Sequence, residues 1–156
     1  MSYLFIILGV LSRLIPHPAN FTPILAIALF GWTYLNKKTA LWVPLVALII
    51  SYLFLDTYSP LLMAFVYGST LISSLIGLWL RNHKNILNIL GSSLLSALIF
   101  YLLSNLGVWV KPFSGYLHTW SSLVECYVMA LPFLKNTVVS NFVYTAIFFG
   151  TYELTL

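Results

Sequence analysis

The chain has 156 residues, 61% of them apolar and only 6% charged, a composition outside the range of soluble globular domains. Its net charge of +4 comes from seven Lys and Arg against three Asp and Glu, scattered without a basic run, which excludes the electrostatic footprint of a nucleic-acid-binding protein. A single cysteine excludes an intramolecular disulfide.

This composition predicts an all-α polytopic membrane protein whose one transmembrane domain spans residues 1–156. A span takes about 20 mostly apolar residues, so the length accommodates about six close-packed helices and no extramembrane domain. Met1 to Ile15 lacks the basic leader and small-residue cleavage site of a secretory signal, and reads as a retained first helix. At 1.5 Å per residue it covers only ~22 Å, short of the ~30 Å hydrocarbon core. Pro16 and Pro18 end it, and Pro23 starts the next helix, where its missing N–H costs nothing. Asn20-Phe21-Thr22 reads as a polar cap on that helix, with ligand contact by Asn20 as the alternative.

The second helix is expected from Ile24 to Leu35, ending at Asn36-Lys37-Lys38. The third runs from Thr39 to Leu55, with Pro44 as a kink site, and stops at Asp56. The fourth runs from Pro60 to Leu80 and ends at Arg81-Asn82-His83-Lys84; the fifth runs from Ile86 to Trp109. Ser73-x-x-x-Gly77 on the fourth, with Ser92-x-x-x-Ser96 and Ser93-x-x-x-Ala97 on the fifth, is the small-residue spacing that lets membrane helices approach. Tyr116 to Leu134 has helical spacing but a polar first half, and predicts an amphipathic lid helix across the outer end, stopped near Pro132. Thr137 to Tyr152 is the sixth span.

Lys37-Lys38 and Arg81/His83/Lys84 lie two helices apart and therefore on one side, which the positive-inside rule makes the cytoplasm, together with both termini. Arg13, Lys111 and Lys135 fall on the outer side. The same outer end collects His17, Asn20, Asp56, Asn105, Trp109, Glu125 and Asn136. Polar groups at membrane depth are costly and persist where they face a cavity, a ligand or one another, so the candidate site is placed there. Arg13 can pair with Asp56, clamp an anionic ligand group, or snorkel to headgroups. Asp56 is either a helix-end residue in water or a ligand partner. Asn105-Leu106-Gly107-Val108-Trp109 either opens the helix end towards a ligand or is an aromatic-belt Trp beside a fraying end. Cys126 reads as a packing residue. No Ser-His-Asp set, HExxH, phosphate loop or paired carboxylates occur, so the expectation is a non-enzyme without an ATP site.

The runs Arg13-x-x-Pro16-x-Pro18-x-Asn20-Phe21-Thr22-Pro23, Asn105-Leu106-Gly107-Val108-Trp109 and Cys126-Tyr127-x-x-Ala130-Leu131-Pro132-Phe133-x-Lys135-Asn136-Thr137, with Asp56, resemble an uncharacterised family of small bacterial six-span proteins. That family is similar to the substrate-binding S components of energy-coupling-factor vitamin transporters. The resemblance implies a six-helix membrane fold in the bacterial cytoplasmic membrane, an outward-opening pocket, and an energising transporter module as partner. The chain departs from the pattern in its first helix, where S components carry an Ala-x-x-x-Ala docking surface and this sequence offers only Gly9 and Ser12. The expectation is a substrate-binding protein for uptake of a small micronutrient of unknown identity. In it Arg13, Asp56 and Asn105 fix polar groups, Trp109, Trp120 and Tyr127 stack on the ligand, and Asn20 and Asn136 are further ligand-binding residues. The alternative is an accessory structural subunit of a larger membrane complex.

Overall fold

Apolar runs bounded by Pro, Ser and Asn give seven α-helices, and no strand, among the residues that a computed structural model of the chain describes: 2–54, 59–111 and 114–154. In chain order they are α1 (Ser2–Leu14), α2 (Ile24–Tyr34), α3 (Lys37–Tyr52), α4 (Pro60–Leu80), α5 (Ile86–Val110), α6 (Trp120–Met129) and α7 (Leu131–Glu153). The starts follow local capping chemistry. The side chains of Asn36, Ser59 and Asn85 accept the backbone N–H of Thr39, Leu62 and Asn88 at 2.8, 3.3 and 2.8 Å, satisfying donors that the first turn leaves orphaned. The third helix therefore begins at Lys37 rather than Thr39, because the Asn36 cap sets its start.

Two sequence expectations are corrected here. Pro23, not Asn20-Phe21-Thr22, occupies the N-cap of α2, with no side-chain cap bond, and Asn20 instead takes a left-handed backbone, φ 61°, which Asn tolerates better than most residues. The lid helix is the short α6, begun by a Thr119–Ser122 capping box, and Pro132 does not end it. Pro132 lies in the first turn of α7, where a missing N–H is harmless, so the last helix starts at Leu131 instead of Thr137.

α2 is the axis of the molecule. Every residue from Ile24 to Gly31 is buried, and α1, α3, α4, α5 and α7 all pack on it. A helix apolar on all sides is a buried helix, and with 11 residues it is only ~16 Å long. Protein rather than lipid covers its faces. Phe30 anchors the core, 5.3 Å from the Phe5 ring and 5.4 Å from that of Phe149.

α4 and α5 are each long and apolar enough to cross a membrane, and α6 with α7, bent by 47° at the break between them, makes a third if the pair is one span. α1 and α2 are shorter apolar helices. Leu4, Ile7 and Leu11 make an exposed stripe on α1, and Leu87, Leu94 and Leu102 are exposed on α5. Apolar surface of this extent suits lipid rather than water.

Inside, polar groups pair across helices, although Asn141 Oδ1 is left without a partner among the described residues. Asn141 Nδ2 donates to the Ser93 carbonyl and to Ser96 Oγ, both at 2.7 Å, and Ser73 Oγ donates to the Ser96 carbonyl at 3.1 Å. All four are buried, and they sew α4, α5 and α7 together. The expected close approach of α4 and α5 is met at Ser73, whereas Gly77 turns to α2. A Cβ on Gly77 would stand 2.5 Å from the Leu29 carbonyl oxygen.

At one end of the bundle, Arg81 Nη2 donates to the Leu35 carbonyl at 2.8 Å, the Lys84 ammonium lies 4.8 Å from the centre of the Tyr34 ring, and Tyr34 hydrogen-bonds Glu153. The α2–α3 and α4–α5 connections therefore share one face, as their charges predict.

Gly77→Ala is expected to cost about 1–3 kcal/mol, because the new methyl meets backbone that cannot turn aside. Gly68→Ala, on the same helix with nothing within 4 Å of the added Cβ, is the matched control and should leave stability unchanged. Thermal unfolding of both variants in detergent checks the pair, and equal midpoints would contradict the α2–α4 contact.

Candidate functional site

The opposite end of the bundle is hollow. Two adjoining cavities of about 250 and 340 Å³ share Arg13, Ala19, Asn20, Val66 and Phe100 as walls; ligand pockets run from about 300 to 1,000 Å³. The first extends towards α2 and α7, with Thr22, Thr70 and Thr137 in its wall. The second extends under α6 and is lined by Tyr52, Asn105, Tyr116 and Cys126 among others. Residues from all seven helices and the α1–α2 connection meet here, although they are distant in sequence.

The α1–α2 connection is tied down over these cavities from the start of α7. Asn136 Nδ2 donates to the Ala19 carbonyl at 3.0 Å, and Ser140 Oγ reaches the Asn20 carbonyl at 3.5 Å. The left-handed Asn20 closes the turn, with the Phe21 N–H donating to the Pro18 carbonyl at 2.9 Å. Asn136 thus builds the rim and does not line either cavity.

Most polar groups in the walls are already used by their own helices. Thr70 Oγ1 donates to the Val66 carbonyl at 2.9 Å, Thr137 Oγ1 to Phe133 at 2.8 Å and Asn105 Nδ2 to Tyr101 at 2.8 Å. Arg13 differs. Its guanidinium carbon lies 4.7 Å from the centre of the Tyr52 ring, a cation–π distance, and its Nε is buried without a hydrogen-bond partner.

α6 is latched onto α5 by aromatic side chains that the sequence had assigned to the ligand. Trp109 Nε1 donates to Ser122 Oγ at 3.1 Å, and its ring meets His118 edge-on at 5.1 Å. Tyr127 OH donates to the Leu102 carbonyl at 2.7 Å, while Tyr101 OH donates to the Tyr127 carbonyl at 2.5 Å. Neither Trp109 nor Tyr127 lines a cavity, because each spends its polar atom on the α5–α6 contact. Trp120 is 83% exposed and points away from both cavities, on the outer surface of the first turn of α6. Gly107 does not open the helix either: α5 continues to Val110, and a Cβ on Gly107 would sit 2.6 Å from Phe65 Cβ. Asp56 lies outside the described residues.

Of the expected site residues, Arg13, Asn20 and Asn105 are brought together at the cavities. Phe100, Val66 and Tyr52 complete the walls, and sequence reading missed them because each sits in an apolar run with nothing to set it apart. Cys126 is buried, with Sγ 3.6 Å from the Asn105 carbonyl. Among the described residues, no group of three or more His, Cys, Asp or Glu gathers as a metal-binding set. A larger hollow of about 610 Å³ lies between α5 and α7 at the Lys84 end. Its walls combine apolar Ile86, Ile89, Leu90, Ala146 and Phe149 with polar Lys84, Asn85, Thr145 and Glu153.

Trp109→Phe removes the bond to Ser122 and keeps the ring. The expected result is amide exchange through residues 119–130 accelerated about fivefold, for a bond worth about 1 kcal/mol, with α4 unaffected. Hydrogen-exchange mass spectrometry reads both regions at once, and unchanged exchange in α6 would show that Trp109 is not the latch.

No curated protein and no solved structure matches the chain. Residues 1–156 match a family of unknown function throughout. The chain therefore belongs to that family, DUF6580.

Proposed function

We propose that this protein is a membrane substrate-binding protein for uptake of a small micronutrient, built like an S component of an energy-coupling-factor transporter and resident in the bacterial cytoplasmic membrane with both termini inside. In this reading the chain crosses the bilayer six times. α1 to α3 are short crossings packed against one another, α4, α5 and α7 are full ones, and α6 is the lid over the outward cavities. The cavities form the binding site, with Arg13, Asn20 and Asn105 holding the polar part of the ligand and Phe100, Val66 and Tyr52 its remainder. The sequence carries no nucleotide motif, so energy would come from a separate ATPase complex.

One observation supports the reading: side chains from all seven helices and a pinned connection converge on adjoining hollows at the Arg13 end of the bundle. The surface that would dock on an energising module is not the one S components use. Gly9 is covered, because a Cβ there would stand 3.0 Å from Ala47 Cβ on α3, and Ser12 Oγ folds back onto the Gly9 carbonyl at 2.9 Å. Docking would instead use an exposed apolar face such as Leu4, Ile7 and Leu11.

Native mass spectrometry of protein released from its own membranes tests the proposal. The expected result is a retained small molecule, with occupancy reduced about tenfold in Phe100→Trp, which fills the wall common to both cavities, and in Asn105→Leu. Wild-type protein that retains no small molecule and leaves the membrane in fixed ratio with large subunits would favour an accessory structural subunit instead.

A further inference from the structure

We infer that the ligand is a small organic anion, its carboxylate or equivalent oxyanion seated on the edge of the Arg13 guanidinium and its uncharged body lying in the cavity under α6. This rests on the binding reading above and adds the chemical class. Arg13 is the one charged side chain among the described walls of the second cavity, and it also faces the first, whose other titratable wall residue is His17. His17 Nδ1 is already 2.7 Å from the Pro18 carbonyl. A guanidinium at this depth is costly unless a counter-charge or a full set of acceptors meets it.

The described surroundings supply neither. The Tyr52 ring takes up one side of the cation and leaves its edges unused, and the buried Nε has no acceptor among the described residues. Nε and the adjoining Nη form the planar two-donor edge that matches a carboxylate bidentately. The second cavity, which Arg13 also lines, is walled by Leu62, Val66, Phe100, Val108 and Phe133, which suits a compact apolar or aromatic body. The nearby donor of Asn105 is already occupied by the Tyr101 carbonyl. Among the described donors of the second cavity, the Arg13 edge is thus the cationic one left without an acceptor.

Benzoate, benzamide and benzylamine present one ring with negative, neutral and positive substituents. Saturation-transfer NMR titrations with the purified protein in detergent should show benzoate binding at least about tenfold tighter than the other two. Arg13→Gln should abolish that preference, and Arg13→Lys, which keeps the charge but loses the fork, should retain part of it. Benzamide or benzylamine binding as well as benzoate, or a benzoate preference that survives Arg13→Gln, would overturn the anion assignment while leaving the cavity as a binding site. Should Arg13→Gln not fold, the wild-type ranking and its weakening in Arg13→Lys still decide. Absence of binding by all three probes also overturns the anion assignment, and the retained-ligand measurement then judges the pocket separately.

Discussion

Everything in this fold depends on one constraint: a polar group away from water must find its partner inside the protein. The Ser73, Ser93, Ser96 and Asn141 seam meets it between α4, α5 and α7. Thr70 and Thr137 meet it within their own helices, and Asn136 meets it by capturing the Ala19 carbonyl. The result is a bundle whose helices are registered by hydrogen bonds as much as by apolar contact, since apolar contact alone gives little preference in lipid. Three buried atoms are left without a partner among the described residues, Arg13 Nε, Trp32 Nε1 and Asn141 Oδ1, and of the three side chains Arg13 is the charged one and lines both adjoining cavities.

The same constraint explains the division of labour between the two ends. At the Lys84 end, charged groups close upon Tyr34 and on backbone: Arg81 on Leu35, Glu153 on the Tyr34 hydroxyl, Lys84 over the Tyr34 ring. At the Arg13 end the connection between α1 and α2 is drawn over the bundle by α7, and α6 is folded across by Trp109, Tyr101 and Tyr127.

Much of this was legible in the sequence, and the parts that were not share a cause. The bounds of α4 could be read directly, because Ser59-Pro60 and Arg81 punctuate a long apolar run. The grouping of Arg13, Asn20 and Asn105 at one end followed from counting helices between charged loops. The roles of Trp109, Trp120 and Tyr127 did not follow, because an aromatic side chain with a polar tip suits a ligand wall, a helix latch and an interface belt equally well. Only the partner atoms, Ser122 for Trp109 and the Leu102 carbonyl for Tyr127, separate these uses. Pro132 was misread for a related reason: Pro punctuates both the end of one helix and the first turn of the next. The buried position of α2 was hidden by its uniform apolarity, which a core helix and a membrane span have in common.

The central claim is that the Arg13 end encloses a hollow reached from solvent, and the single cysteine reports on it directly. Cys126 is only 3% exposed, yet its side chain lines the cavity under α6. The rate at which its thiol reacts with methyl methanethiosulfonate, compared with a maleimide carrying a long polymer, measures whether small molecules enter that space. The folded protein should react with the small reagent and resist the large one. A thiol that resists both until the protein is unfolded would mean solid packing beneath α6, and would contradict the account.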